Sequence, residues 1–177
     1  MQYAKLLSAG ATVVAFARND EKLAIAKERG ADAVINTRGK SLSDIQDELL
    51  KLTGAHKLDA AIDCVGAGET IQTGIGLLHT SGAFVSVGLV GTKINIPLFP
   101  FTAGELTYHG SFWANYSDLQ EVLALAQKGK IQHSIKRIQF KDVNENLELL
   151  RAGDIIGRAV IVFDIPWDGS DARATKN

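Results

Sequence analysis

Thr12-Val-Val-Ala-Phe-Ala-Arg-Asn-Asp-Glu-Lys-Leu23 reads as a buried strand that stops at a polar turn and restarts as a helix. Thr12 to Phe16 is short, apolar and β-branched, as a parallel strand covered on both faces should be. Asn19 and Asp20 can cap the next helix, and Asp20 and Glu21 suit its positive N-terminus. In open α/β sheets the ligand site lies just beyond the carboxyl ends of the strands. The turn Ala17-Arg18-Asn19 is therefore the first place to look for chemistry.

The same unit recurs outward from this stretch. Upstream, Tyr3, Leu6 and Leu7 have helical spacing, and Gly10 is a candidate C-cap. Downstream, Glu21 to Arg29 is predicted helical, with Gly30 ending it, and Ala33 to Asn36 extended. Ser43 and Gln46 form a capping-box pattern before a helix with Ile45, Leu49 and Leu52 inward. Leu58 to Gly66 is predicted as a strand, Glu69 to His79 as a helix containing Gly74 and Gly76, and Ala83 to Gly91 as a strand and turn. Asn95 to Leu98 and Thr107 to Phe112 are expected to be extended. Ser117 and Gln120 suggest a second capping box, opening a helix with Leu119, Val122, Leu123 and Ala126 inward. Ile135 to Phe140, Asp142 to Ala152 and Arg158 to Ile165 complete the alternation as strand, helix and strand. Strands alternating with helices imply an α/β fold with a doubly wound, largely parallel sheet. One domain over residues 1–165 is expected, followed by a polar tail over residues 166–177.

Bulk properties exclude several classes. The 177 residues carry 19 basic and 20 acidic side chains, net −1, so no basic field points to nucleic acid or an anionic membrane. A single cysteine excludes an intrachain disulfide and fits a reducing compartment. No apolar run approaches the roughly 20 residues of a membrane span, and the first ten residues lack a signal-peptide layout. The expectation is a soluble cytoplasmic protein.

Four strand ends converge on one edge of such a sheet: Ala17-Arg18-Asn19, Cys64-Val65-Gly66, Val87-Gly88-Leu89 and Phe112-Trp113. Glycine at these ends lets backbone approach a flat or charged ligand, the way a nucleotide crevice is built, although glycine is also routine turn chemistry. The specific fingerprint of that crevice, G-x-G-x-x-G opening the first helix, does not occur here. It belongs about 20 residues before the turn at residue 17, which places it largely before Met1. The first strand and its glycine-rich loop are thus expected to be lacking.

Seven pieces in order resemble the C-terminal, cofactor-binding Rossmann half of the medium-chain, zinc-dependent alcohol dehydrogenase family. They are Gln2-Tyr-Ala-Lys-Leu-Leu7, Glu21-Lys-Leu23, Gly30-Ala-Asp-Ala-Val-Ile-Asn36, Leu58-Asp-Ala-Ala-Ile-Asp63, Val85-Ser-Val-Gly-Leu-Val-Gly91, Gly110-Ser-Phe112 and Ile156-Gly-Arg158. The resemblance runs from residue 2 to about residue 165. It implies the cofactor-binding part of an oxidoreductase that moves hydride between an alcohol or aldehyde and NADP or NAD. The chain alone would have little activity, because the zinc and its ligands belong to an N-terminal domain of the family not matched here.

Position by position, the resemblance puts Ala17 where the family usually has an acidic residue that binds the adenosine ribose. Alanine cannot accept those bonds, whereas Arg18 can pair with a 2′-phosphate, which favours NADP over NAD. Lys22 matches a position that reaches the ribose. Cys64 and Val65 match the turn over the nicotinamide ribose, and Val87, Gly88 and Leu89 the strand end beside the nicotinamide. Ser111, Phe112 and Trp113 match the segment that holds the carboxamide, and Arg158 an arginine that contacts the pyrophosphate. The region 95–112 matches the edge through which subunits pair, implying a homo-oligomer.

No catalytic or metal-ligating residue is expected in the chain itself. Zinc needs about three or four ligands, and His56, His79, His109 and His133 show no ligand spacing. Cys64 has no base placed near it by the sequence, so a small strand residue is the simpler reading. Asp59 and Asp63 lie roughly 13 Å apart along one strand, too far for paired acid–base work, and suit backbone or cap contacts. Competing readings are a non-catalytic nucleotide-binding or oligomerisation module, a zinc-free quinone or enoyl reductase relative, and a methyltransferase-type domain. The last would need an acidic, glycine-rich first strand that is not visible.

Overall fold

A computed structural model describes residues 1–163, so the predicted tail at 166–177 and the last two residues of the predicted final strand lie outside the described residues. The chain divides into two units, Met1–Gln120 and Glu121–Asn177. In the first, the order is α1 (Gln2–Leu7), β1 (Val14–Ala17), α2 (Asp20–Glu28), β2 (Ala33–Asn36), α3 (Leu42–Thr53) and β3 (Leu58–Asp63). It continues with α4 (Gly68–Gly76), β4 (Leu78–Ser86), α5 (Leu98–Ala103) and β5 (Thr107–Gly110). No helix among the described residues is long and apolar enough to cross a membrane.

Every ladder among the described residues is parallel. β1 pairs with β2, and β3-β4-β5 forms a separate group. Both groups share one core. Ile35, Ile45, Leu49 and Leu77 are buried together, and Val14 and Phe16 of β1 and Leu58 of β3 pack on them. Arg18, just past β1, also pairs with Glu69, just past β3, at 3.8 Å. β1 and β3 are therefore neighbours that run the same way, yet they share no ladder. In a doubly wound sheet the first strand stands between these two positions. Among the described residues nothing pairs with the facing edges of β1 and β3. The expected α/β sheet without its first strand is the architecture observed.

Local chemistry moved several boundaries. α3 starts at Leu42 because Ser41, not Ser43, is its cap. The Ser41 hydroxyl accepts from the Asp44 amide, and the Asp44 carboxylate accepts from the Ser41 amide at 2.9 Å. Two serines stood near the start, and the one facing a carboxylate in the first turn prevails because charge-assisted bonds are stronger. The Ser41 hydroxyl also holds the Asp44 carboxyl below its usual range. Similarly, Asn115 and Asp118 cap the helix that starts at Tyr116 reciprocally, in place of Ser117 and Gln120.

α4 stops at Gly76, before the predicted His79, because Leu77 and Leu78 are both buried and Leu78 opens β4 against Leu58. β4 accordingly spans residues 78–86 rather than starting at Ala83. A register shift takes up His79 to Gly82, with Ser81 at φ 63°. Gly74 and Gly76 do face close neighbours, but these are side chains rather than backbone. A Cβ there would meet the Phe84 ring at 2.5 Å or Leu42 Cδ2 at 2.7 Å. Residues 98–103 form the short helix α5, where an extended start at Asn95 to Leu98 and an irregular crossover are expected from sequence. At the other end of the chain, α1 closes at Ser8 rather than at Gly10.

α6 (Tyr116–Gln127) reaches the unit boundary. The second unit continues with β6 (Ile135–Ile138), a short 3₁₀ turn at Phe140–Asp142, α7 (Val143–Ala152) and β7 (Arg158–Ile161). β6 and β7 are parallel, and Ile131 and Ile138 are buried. Leu119 and Leu123, read as inward, are each 52% exposed, so α6 has no buried stripe of its own.

Candidate functional site

The loops that leave β3 and β4 at their carboxyl ends are locked together. Val90 N–H donates to the Val65 carbonyl at 3.2 Å and Gly91 N–H to the Gly66 carbonyl at 2.8 Å. A Cβ built on Gly66 would stand 2.1 Å from the Gly88 carbonyl group, and one on Gly88 would stand 2.1 Å from the Val65 carbonyl carbon. Only glycine at both positions allows two main chains this close. Gly66 also has φ +76°, while Gly88 needs glycine for the contact alone.

Asp63 sits beneath this junction. It is 8% exposed, the last residue of β3, and opposite Ser86 in register. Its carboxylate accepts from Val65 N–H at 3.1 Å and Gly66 N–H at 2.7 Å. Its backbone carbonyl accepts from Val87 N–H at 2.9 Å and Gly88 N–H at 3.0 Å.

Beside the junction opens a cleft of about 340 Å³ lined by Val87, Leu89, Ser111, Phe112 and Trp113. Its size falls within the usual range of small-molecule sites. Ser111 is placed by its N–H bond to the Ser86 carbonyl at 2.8 Å, which continues the β4–β5 ladder. Phe112 and Trp113 meet edge to face at 5.6 Å. Trp113 has φ 61° and is 84% exposed, so its backbone is held in a left-handed conformation while its ring faces outward. The chemistry on offer is a flat apolar wall, one hydroxyl and a set of strand-end main chains.

The β1 end is built differently. Asn19 caps α2 by accepting from Lys22 N–H at 3.1 Å, and the exposed Arg18 lies between this cap and Glu69. An exposed ion pair contributes only about 0–1 kcal/mol. Glu69 is thus a weak partner, and the guanidinium can turn to a more strongly charged anion such as a phosphate. Lys22 is exposed on the first turn of α2, and Cys64 is a free, exposed thiol just past β3. Arg158 opens β7 in the second unit, where its N–H donates to the Ser134 carbonyl at 3.0 Å and its guanidinium to the Gly157 carbonyl at 3.3 Å.

Five of the residues singled out in the sequence therefore line one cleft, Gly88 lies between two of them, and Val65 packs on Gly88. Sequence reasoning underweighted Asp63, whose signal was an acid closing an apolar strand three residues before a glycine. It also missed Glu69 as the neighbour of Arg18. Among the described residues no group of three His, Cys, Asp or Glu side chains could hold a metal ion, so the residues present do not fit a zinc site.

Comparison with known proteins bears on this geometry. The family model described as zinc-binding dehydrogenase matches residues 1–128. An NAD-dependent alcohol dehydrogenase of Saccharolobus solfataricus is 32% identical over 163 residues, 92% of this chain and 46% of that protein. The crystal structure of the alcohol dehydrogenase from Aeropyrum pernix superposes with a TM-score of 0.82 at 31% identity, over 92% of this chain and 45% of that one. The D-arabinose dehydrogenase structure from Sulfolobus solfataricus gives a TM-score of 0.69 at 30% identity, over 77% of this chain and 41% of that one. The chain spans about half the length of the curated relatives it matches. With a family model covering most of its length and the parallel strand-end architecture in place, the chain belongs to the zinc-binding dehydrogenase family.

Proposed function

We propose that this chain is the cofactor-binding portion of a nicotinamide-dependent alcohol or aldehyde oxidoreductase and is inactive by itself. The observation that carries the reading is the cleft of Val87, Leu89, Ser111, Phe112 and Trp113 beside the locked β3 and β4 loops. A flat nicotinamide ring suits that apolar wall, with Ser111 as a hydrogen-bonding group for its carboxamide. Cys64 and Val65 would face the neighbouring ribose, and Arg18 and Lys22 the adenosine ribose. When bound, the cofactor supplies hydride transfer, and the chain's residues bind and orient it.

Ala17 and Arg18 favour NADP, because alanine offers the ribose no acceptor and arginine pairs with a 2′-phosphate. The Saccharolobus solfataricus relative is described as NAD-dependent, so the two dinucleotides must be compared directly. Titrating the chain with NADPH and with NADH, followed by Trp fluorescence, tests both points. Saturable binding of NADPH, tighter than NADH, with the advantage removed by Arg18→Ala, is expected. Equal or tighter NADH binding that Arg18→Ala leaves unchanged would reverse the assignment to NADP, and no binding of either would overturn the function.

Among the described residues β5 (Thr107–Gly110) pairs with β4 on one side only, and its four residues are exposed. That supports a homo-oligomer through the 95–112 region, formed by strand pairing between two copies. Sedimentation of wild type against His109→Pro reads this: a dimer that becomes a monomer is expected, and a monomeric wild type would contradict it.

A further inference from the structure

Asp63 stands at the end of a strand and is buried, and among the described residues no cation forms an ion pair with it. It spends both carboxylate oxygens on backbone N–H groups of the β3 loop, Val65 and Gly66. Its carbonyl takes two more N–H groups, Val87 and Gly88 of the β4 loop. One residue therefore holds four amides from two loops, and three of those four amides belong to residues of the proposed nicotinamide end. We propose that Asp63 is a positioning residue that fixes the β3 and β4 loops in the spacing the nicotinamide end requires, without touching the cofactor. This inference rests on the cofactor-binding reading above.

The physical argument is one of acceptors. Val87 N–H makes the last bond of the β3–β4 ladder to the Asp63 carbonyl, while the N–H groups of Val65, Gly66 and Gly88 lie beyond it, and buried donors need partners. A carboxylate supplies two strong acceptors at once, whereas an amide presents one acceptor and one donor. In Asp63→Asn the N–H of either Val65 or Gly66 would face another N–H. The closest approach in the junction, Gly66 against Gly88, depends on both loops being held, so loosening one should displace Val87 and Leu89 in the cleft wall.

The test uses the whole chain with NADPH and with 2′-phospho-ADP-ribose, which carries the adenosine, the pyrophosphate and the 2′-phosphate but no nicotinamide ring. In Asp63→Asn, NADPH binding should weaken by about tenfold or more, the order expected for losing one charge-assisted bond. Binding of 2′-phospho-ADP-ribose should stay within about twofold, a selective loss that a general loss of structure would not produce. Amide exchange at Val65, Gly66, Val87 and Gly88 should accelerate together, while that of β2 should not change. Asp59→Asn, on the same strand four positions earlier, should leave all of these as in wild type. Unchanged NADPH binding and unchanged exchange in Asp63→Asn would overturn the proposal, as would equal weakening of NADPH and 2′-phospho-ADP-ribose. If wild type bound neither ligand, the cofactor-binding reading would fall and the positioning role with it.

Discussion

Two ends of the same sheet edge solve the same problem by opposite means. At the β3 and β4 ends, main chain is packed on main chain, with glycines at contact distances no side chain tolerates and a buried carboxylate beneath. At the β1 end, a single exposed arginine stands near a single exposed glutamate, while the turn around it is held by the Asn19 cap and by bonds from Asn36 and Thr37 to Asp20 and Ala17. The first end depends on shape, the second on charge. Shape set by backbone is intolerant of change. Charge carried by an exposed side chain can be altered with little effect on the fold.

The largest expected effect breaks the first end. Gly88→Ala would place a methyl 2.1 to 2.4 Å from the backbone of Val65 and Gly66, where nothing flexible can yield. A destabilisation of about 3 kcal/mol or more in urea unfolding is expected, with loss of dinucleotide binding. A change under about 0.5 kcal/mol would show that the two loops are not locked in solution.

At the second end the effect should fall on ligand choice alone. Arg18→Ala should weaken NADPH by about tenfold and alter stability by less than about 0.5 kcal/mol, since it removes one exposed side chain. Loss of stability comparable to Gly88→Ala would erase the distinction between the two ends. A smaller effect sharpens it further. Glu69→Gln should tighten NADPH by about two- to threefold by freeing Arg18, the size of an exposed pair, and should leave NADH unchanged.

The smallest effect lies away from both ends. His79 donates to Asp59 at 2.7 Å and also contacts the Thr80 carbonyl. The bond to Asp59, followed by the contact with Thr80, raises the His79 pKa above its ordinary value. A raised folded-state pKa adds stability that is fully present below the unfolded value and is lost as pH rises through the folded one. Stability should therefore decline slightly from about pH 6.5 upward, and Asp59→Asn should flatten that slope. An NMR titration of His79 that gives an unshifted midpoint would contradict it.

Much of this was readable beforehand, and the exceptions have physical causes. β2 falls on Ala33–Asn36 as its short apolar run implies, and Gly54 closes α3 with φ +77°. Val87, Leu89, Ser111, Phe112 and Trp113 meet in one cleft because loops at successive strand ends share an edge. Caps were harder. Ser41 and Ser43 differ only in what lies three residues on, and a carboxylate at Asp44 decides between them. Leu78 has a position compatible with both a helix stripe and a strand, and only the pairing with Leu58 resolves it. The locking of Gly66 on Gly88 joins residues 22 apart, beyond the reach of any local pattern. The same holds for the burial of Asp63.

One measurement bears most directly on the claim that these ends form a single dinucleotide site. Amide chemical shifts of the labelled chain, recorded with and without NADPH, should change together at Arg18 to Lys22, Cys64 to Gly66, Val87 to Leu89 and Ser111 to Trp113. Changes confined to the β5 edge or the amino ends of the strands, or no changes at saturating NADPH, would contradict it.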